Sequence, residues 1–266
     1  MRSYGRNGAL RATLVFLLFG VASAQAPYEL VREEQRIVVD GVQETWRLVW
    51  TAPPNEECGP GNELYYTCPC AGFAFGEAGP ASLVRVRGGV EVDRLPLGPL
   101  FGEDSPRRQG IAVIPKFPYK WQTDSGERHV KREAIERRPR VKVMKFGDYN
   151  HDGRATEFYL QTSAIACGWQ FGVVIGVSRN NSRLHALSAN NSATPLYLRY
   201  PLWERIREAR SPLELSECQC GDHGAENETR VSLAWADGAL TGTRRTYTCP
   251  PDPRRLLSEK PLGGGR

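Results

Sequence analysis

Short runs of alternating apolar and polar residues recur along this chain, and most of them meet a turn signal within a few residues. From Ile37 to Trp50 the pattern predicts a hairpin. Asp40-Gly41 is the two-residue turn, and Val42, Trp46, Leu48 and Trp50 share one face at period two. Ser82 to Leu97 reads as a second hairpin around Gly88-Gly89, and Ile111 to Ile114 as a short strand. Phe171 to Val177 and Leu184 to Leu187 form a third, turning at Asn180-Asn181. Val231 to Cys249 forms a fourth around Asp237-Gly238, with Val231, Leu233 and Trp235 on one face. Further strands are expected at Leu64 to Cys68, 141–146, 156–162 and Leu213 to Cys218, and residues 71–82 are rich in Gly and Ala, with Phe73 and Phe75 as anchors.

Helical signals are few. Asp124 and Glu127 make a capping box for a helix that carries Val130 and Ala134 and stops at Arg138-Pro139. Pro201 suits the first turn of a second short helix with Leu202, Trp203 and Ile206, ended by Ser211-Pro212. Hairpins at short intervals with two short helices predict an all-β, mainly antiparallel fold, a sandwich or an irregular barrel. No repeat period appears, so a propeller of many blades is not expected. From Pro250 onward, four prolines and a glycine run predict a disordered tail.

The amino-terminal segment stands apart from this pattern. Arg2, Arg6 and Arg11, then an apolar run from Ala12 to Val21, then Ala22-Ser23-Ala24, have the layout of a signal peptide cleaved after Ala24. The apolar run is short for a membrane span. The expectation is a secreted or periplasmic protein in which residues 25–249 form one β-rich domain, with no transmembrane segment after the leader. Losing residues 1–24 takes the formal net charge from +5 to about +2, which excludes no partner class. Nucleic acid is not an expected partner. Residues 116–145 concentrate ten Lys/Arg against four Asp/Glu; the plain reading is a solvated, basic helix face.

All seven cysteines (Cys58, Cys68, Cys70, Cys167, Cys218, Cys220 and Cys249) follow the leader, so disulfides are expected, and with an odd number at least one cysteine stays free or pairs outside the chain. Neither Cys68-Pro-Cys70 nor Cys218-Gln-Cys220 closes easily on itself, and Cys249 is a natural partner for either Cys218 or Cys220. A zinc site with two Cys-x-Cys arms is the rival, disfavoured by the spacing and by export.

One stretch carries chemistry. In Asp148-Tyr149-Asn150-His151-Asp152-Gly153-Arg154-Ala155-Thr156-Glu157, oxygen side chains occupy the first, third and fifth places, with a glycine next and an acid later. Alternate oxygen donors on a curled loop can converge on one hard cation, and Gly153 permits the sharp turn. Tyr159 stands at the twelfth place, where an EF-hand needs a bidentate Glu, so this is no EF-hand. The loop resembles instead the calcium loop of FG-GAP or VCBS-type repeats, in which an Asp-x-Asn/Asp-x-Asp-Gly core joins two strands. The likeness covers residues 146–160, with Glu157 at the tenth place and a single copy in the chain. It implies a structural Ca²⁺ held by the side chains of Asp148, Asn150, Asp152 and Glu157 and the backbone carbonyl of Arg154.

The four histidines, His129, His151, His185 and His223, form no metalloprotease pair, and there is no Gly-x-Ser-x-Gly elbow. The expectation is therefore an exported, disulfide-bonded, calcium-stabilised binding or structural module whose partner is an extracytoplasmic protein or polymer. The alternative is an exported hydrolase using Asp222 and His223, with or without the ion.

Overall fold

The computed structural model describes residues 28–57, 76–101, 110–118, 132–165 and 169–263. In chain order its elements are β1 (Leu30–Val39), β2 (Val42–Trp50), β3 (Asn55–Glu57), β4 (Gly76–Gly79), β5 (Ala81–Arg87), β6 (Val90–Pro96), β7 (Ala112–Pro115), α1 (Arg132–Glu136), β8 (Glu157–Ile165), β9 (Trp169–Ser178), β10 (Asn181–Ala186), β11 (Leu198–Arg199), α2 (Tyr200–Glu208), β12 (Leu213–Cys218), β13 (Asn227–Ala236), β14 (Ala239–Thr248) and β15 (Leu256–Pro261). The fold is all-β with two short helices, and every ladder between named strands is antiparallel. The predicted helix from Asp124 is described only in its last part, α1. The expected strand at Leu64 to Cys68, residues 1–24, and Cys58, Cys68, Cys70 and Cys167 lie outside the described residues.

The described strands form four sheets: β1-β2-β5-β6, the small β3-β4-β7, a central sheet in which β9 pairs with β8, β10 and β11, and the C-terminal β12-β13-β14-β15. β9 explains why its sequence reads as a nearly continuous apolar run. Val173, Ile175 and Val177 feed a core shared with Trp46, Leu48, Trp50 and Leu83 of the first sheet. Val174, pointing the other way, joins Trp203 and Ile206 of α2 and Leu215, Val231 and Leu233 of the C-terminal sheet. A strand buried on both faces has no polar side to alternate with. Val42, expected on the buried face of β2, is exposed instead because it sits at the hairpin tip beyond the central sheet's cover.

A buried ionic cluster fixes the first sheet against β10. Glu44 accepts hydrogen bonds from Trp46 Nε1, Arg85 and Arg87, and Asp93 pairs with Arg183 and accepts from the Leu184 amide. Arg85 also donates to the Ser182 carbonyl. Burial alone would raise the Glu44 carboxyl, but the hydrogen bonds from Arg85, Arg87 and Trp46 outweigh it and hold the group below the usual range.

Two expectations are corrected. Residues 141–146 are not a ladder strand. Their amides and carbonyls are met by side chains and by a distant backbone group: Glu33 accepts from Val143 and Met144, Arg32 donates to the Val141 carbonyl, and Val141 donates to the Lys116 carbonyl. The Gly- and Ala-rich stretch, for which the sequence predicts no element, adds a strand, β4, whose small residues let backbones approach: a Cβ on Gly79 would lie 3.4 Å from Pro54 Cα. The tail from Pro250 is ordered as far as Gly263. β15 pairs with β14, and Leu262 is buried in the core beneath the C-terminal sheet. One buried leucine and one ladder offset the prolines that suggested disorder.

Candidate functional site

The 148–157 loop begins where Gly147 and Glu157 exchange two backbone hydrogen bonds, of 2.8 and 3.2 Å, at the base of β8. Inside that closure the acidic side chains curl the chain. Asp148 accepts from the amides of Asp152 (3.1 Å) and Gly153 (3.0 Å), Asn150 Oδ1 from Asp152 (3.1 Å), and Asp152 Oδ1 from Arg154 (2.9 Å). These are the local bonds by which Asp and Asn favour turns. His151 and Gly153 take the left-handed conformation, φ 56° and 86°, that the curl requires.

Asn150, Asp152 and Glu157 are buried, and among the described residues no Lys or Arg forms an ion pair with the carboxylate of Asp148, Asp152 or Glu157. Burial pushes the Glu157 carboxyl up to about 9; Asp152 and Asp148 add to the rise, while the hydrogen bond from the Tyr149 amide opposes it. Three acids thus share one loop, two of them buried, and among the described residues none of their carboxylates is paired with a guanidinium or ammonium group. Arg154, which could have cancelled the site, turns away and pairs with Asp40 at 2.7 Å.

The donor chemistry fits a hard cation: carboxylate and amide oxygens with a glycine at the sixth place. Ligand convergence is not built in. Among the described residues no three His, Cys, Asp or Glu side chains group as a metal-ligand set, and the acidic oxygens face backbone amides. The loop brings Asp148, Asn150, Asp152 and Glu157 to one place, but closure around an ion requires some of those amide bonds to be exchanged for ion contacts.

The loop is also a junction, which the sequence did not reveal. Arg154 ties it to the Asp40-Gly41 turn of the first sheet. Arg179, at the β9–β10 turn, donates its amide to Asp152 Oδ2 at 2.6 Å and its guanidinium to the Asp152 carbonyl at 2.8 Å. Asn180 reaches across to the Asp237 carbonyl, and Gly238 packs so closely that a Cβ there would lie 2.8 Å from Asp152 Cβ. His151 stacks on Trp235 at 4.0 Å and donates from Nε2 to the Ile206 carbonyl at the end of α2. Three sheets and a helix meet there. The dipeptides Asp40-Gly41, Asn180-Asn181 and Asp237-Gly238 were the available signals, each legible as a turn but not as a neighbour of the others.

The other proposed chemistry lies elsewhere. Asp222 and His223 occupy a 3-10 turn, Asp222–Gly224, that follows the left-handed Gly221. Asp222 lines an open cavity of about 570 Å³ with Arg199, Ser216, Glu217, Gln219 and Cys220; the side chain of His223 is outside the described residues. This turn precedes β13, whereas Trp235 and Gly238 at the far end of β13 touch the acidic loop. Ten residues of strand put about 30 Å between them. His151 and His185 are held by backbone carbonyls, of Ile206 and Arg183 respectively.

Cys220 and Cys249 form a disulfide with a Cα–Cα distance of 5.5 Å, resolving which cysteine of the 218/220 pair meets Cys249. Cys218 is a free thiol, raised by burial and then by Asp222, and so not activated as a nucleophile. No described helix is long and apolar enough to cross a membrane. No family model matches the chain, and neither curated proteins nor solved structures yield a match.

Proposed function

We propose that this protein is an exported, disulfide-bonded module, binding or structural rather than catalytic, whose 148–157 loop is an FG-GAP- or VCBS-like structural Ca²⁺ site. The observation that carries the reading is Glu157: a fully buried carboxyl beside two further acids, with no cationic side chain paired to it among the described residues. A divalent cation would supply the missing charge and favour the ionised form. Asp148, Asn150, Asp152 and Glu157 would hold it with the Arg154 carbonyl, and an ion there would brace the junction of three sheets. Export is supported by the leader-like first 24 residues and by the Cys220–Cys249 bridge, a bond that persists in oxidising compartments.

Thermal unfolding in Ca²⁺, Mg²⁺ and EDTA tests this. At Ca²⁺ tenfold above a dissociation constant on the order of 10⁻⁴ to 10⁻³ M, linkage gives about 1.4 kcal/mol. That raises Tm by about 4 °C in a domain of this size. Identical curves in Ca²⁺ and EDTA would remove the ion from the account.

The alternative, a hydrolase using Asp222 and His223, draws support from the cavity that Asp222 lines. Its ion-assisted form does not, given the length of β13 between the two sites. Hydrolysis of model esters, glycosides and phosphates that vanishes in His223→Ala would favour it over the module.

A further inference from the structure

The Cys220–Cys249 bridge lies where a molecule in solution can reach it. Cys220 is exposed and Cys249 half-buried. Two open cavities, of about 570 and 500 Å³, meet at Cys220. Among the described residues, the first is lined by Arg199, Glu217 and Asp222 and by neither chain neighbour of Cys249. The second includes Thr248 and Pro250, which flank Cys249. One cavity therefore opens on the Cys220 side of the bond and the other on the Cys249 side. Thiol–disulfide exchange uses that layout, because the attacking sulfur arrives opposite the leaving one.

The C-terminal sheet does not need the bridge for its register. β12, β13 and β14 are laddered up to its edge, with Cys218 opposite Thr229 and Asn227 opposite Thr248, and the Thr248 amide donates to the Arg255 carbonyl. Opening the bond frees two cysteines at the end of the sheet and no strand. Exposed bridges of this kind exchange readily, whereas structural staples resist reduction. Cys218 is no internal attacker, since its thiol is spent on the Gln219 carbonyl.

We propose that Cys220 is a thiol-exchange site for a low-molecular-weight amino-acid thiol. The thiolate enters the first cavity and its sulfur bonds to Cys220 Sγ. The bridge breaks, and Cys249 leaves as a thiolate that takes up the proton the incoming thiol lost. A second thiol then attacks the first, so that two thiols depart as one disulfide and the bridge is left as two cysteine thiols. The cavity sets the class: Arg199 offers a cation to a carboxylate, and Asp222 and Glu217 offer acids to an ammonium group. In an oxidising compartment the bridge stays closed until such a thiol is supplied. The proposal is independent of the calcium reading.

The test is native incubation of the full oxidised chain with reduced glutathione under nitrogen, quenched with N-ethylmaleimide and read by intact mass and peptide mapping. The expected product carries one glutathione on Cys220 and one maleimide on Cys249, then maleimide on both at longer times, with the far-UV spectrum unchanged. Cys218→Ser should give the same adduct. Mercaptoethanol should open the bridge more slowly than glutathione, once each rate is divided by that thiol's rate with a small reference disulfide. A bridge that opens only in denaturant overturns the proposal. So do glutathione found on Cys249, loss of the adduct in Cys218→Ser, and equal corrected rates for the two thiols.

Discussion

Replacing Glu157 with glutamine should stabilise the ion-free protein at alkaline pH while abolishing its response to Ca²⁺. The buried carboxyl titrates near 9 in the folded chain, against about 4.5 in the unfolded one. With a raised folded value, the associated stability is fully present below the unfolded pKa and is lost as pH rises through the folded pKa. Inside that window the slope is about 1.4 kcal/mol per pH unit, or about 2.7 kcal/mol between pH 6 and 8. A glutamine side chain does not titrate and so carries no such dependence. Its amide also fits: Thr156 gives its one hydroxyl hydrogen to the Val177 carbonyl at 2.7 Å, leaving the oxygen free to accept, and the Tyr149 amide can still donate to the glutamine oxygen. Urea unfolding of both proteins in EDTA at pH 6 and 8 gives the difference directly, because other titrating groups cancel. The variant should gain about 2 to 3 kcal/mol on the native protein over that interval. Parallel pH profiles would refute the assignment of a buried, neutral Glu157.

Other substitutions probe the frame around the loop. Glu44→Gln strands Arg85 and Arg87 beside a neutral group and should cost about 3–5 kcal/mol by chemical denaturation. Because the Glu44 carboxyl is depressed in the fold, its contribution should be present above pH 4.5 and disappear as pH falls further. Gly238→Ala combines φ +78° with a Cβ 2.8 Å from Asp152, so a loss of at least about 1–2 kcal/mol is expected, with hydrogen exchange rising first at the β13–β14 turn. Leu262→Ala should cost about 2–4 kcal/mol in thermal unfolding, a result a disordered tail could not give.

Much of the fold was legible because hairpins are local. Asp40-Gly41, Gly88-Gly89 and Asp237-Gly238 state their turns in two residues, and period two states which face of Trp46, Leu48 and Trp50 is buried. What failed was non-local. The extended run at 141–146 looked like a strand, but its partners are the side chains of Arg32 and Glu33, more than a hundred residues away, together with the Lys116 carbonyl. Pro250 to Pro261 looked like a tail because composition cannot anticipate that β14 has a vacant edge and that Leu262 has a core to enter. The loop at 148–157 was found by its oxygen spacing. The sequence could not show that Arg154 turns outward to Asp40, or that Asp152 receives Arg179 and Gly238, because those contacts arise from how separate sheets align.

The central claim is a cation held by the acidic loop, and calorimetric titration of the protein with Ca²⁺ at constant ionic strength, beside Asp152→Ala, tests it most directly. One saturable site with a dissociation constant on the order of 10⁻⁴ to 10⁻³ M, absent from the variant, is the expected result. No heat up to several millimolar Ca²⁺, or equal heats in the two proteins, would contradict it.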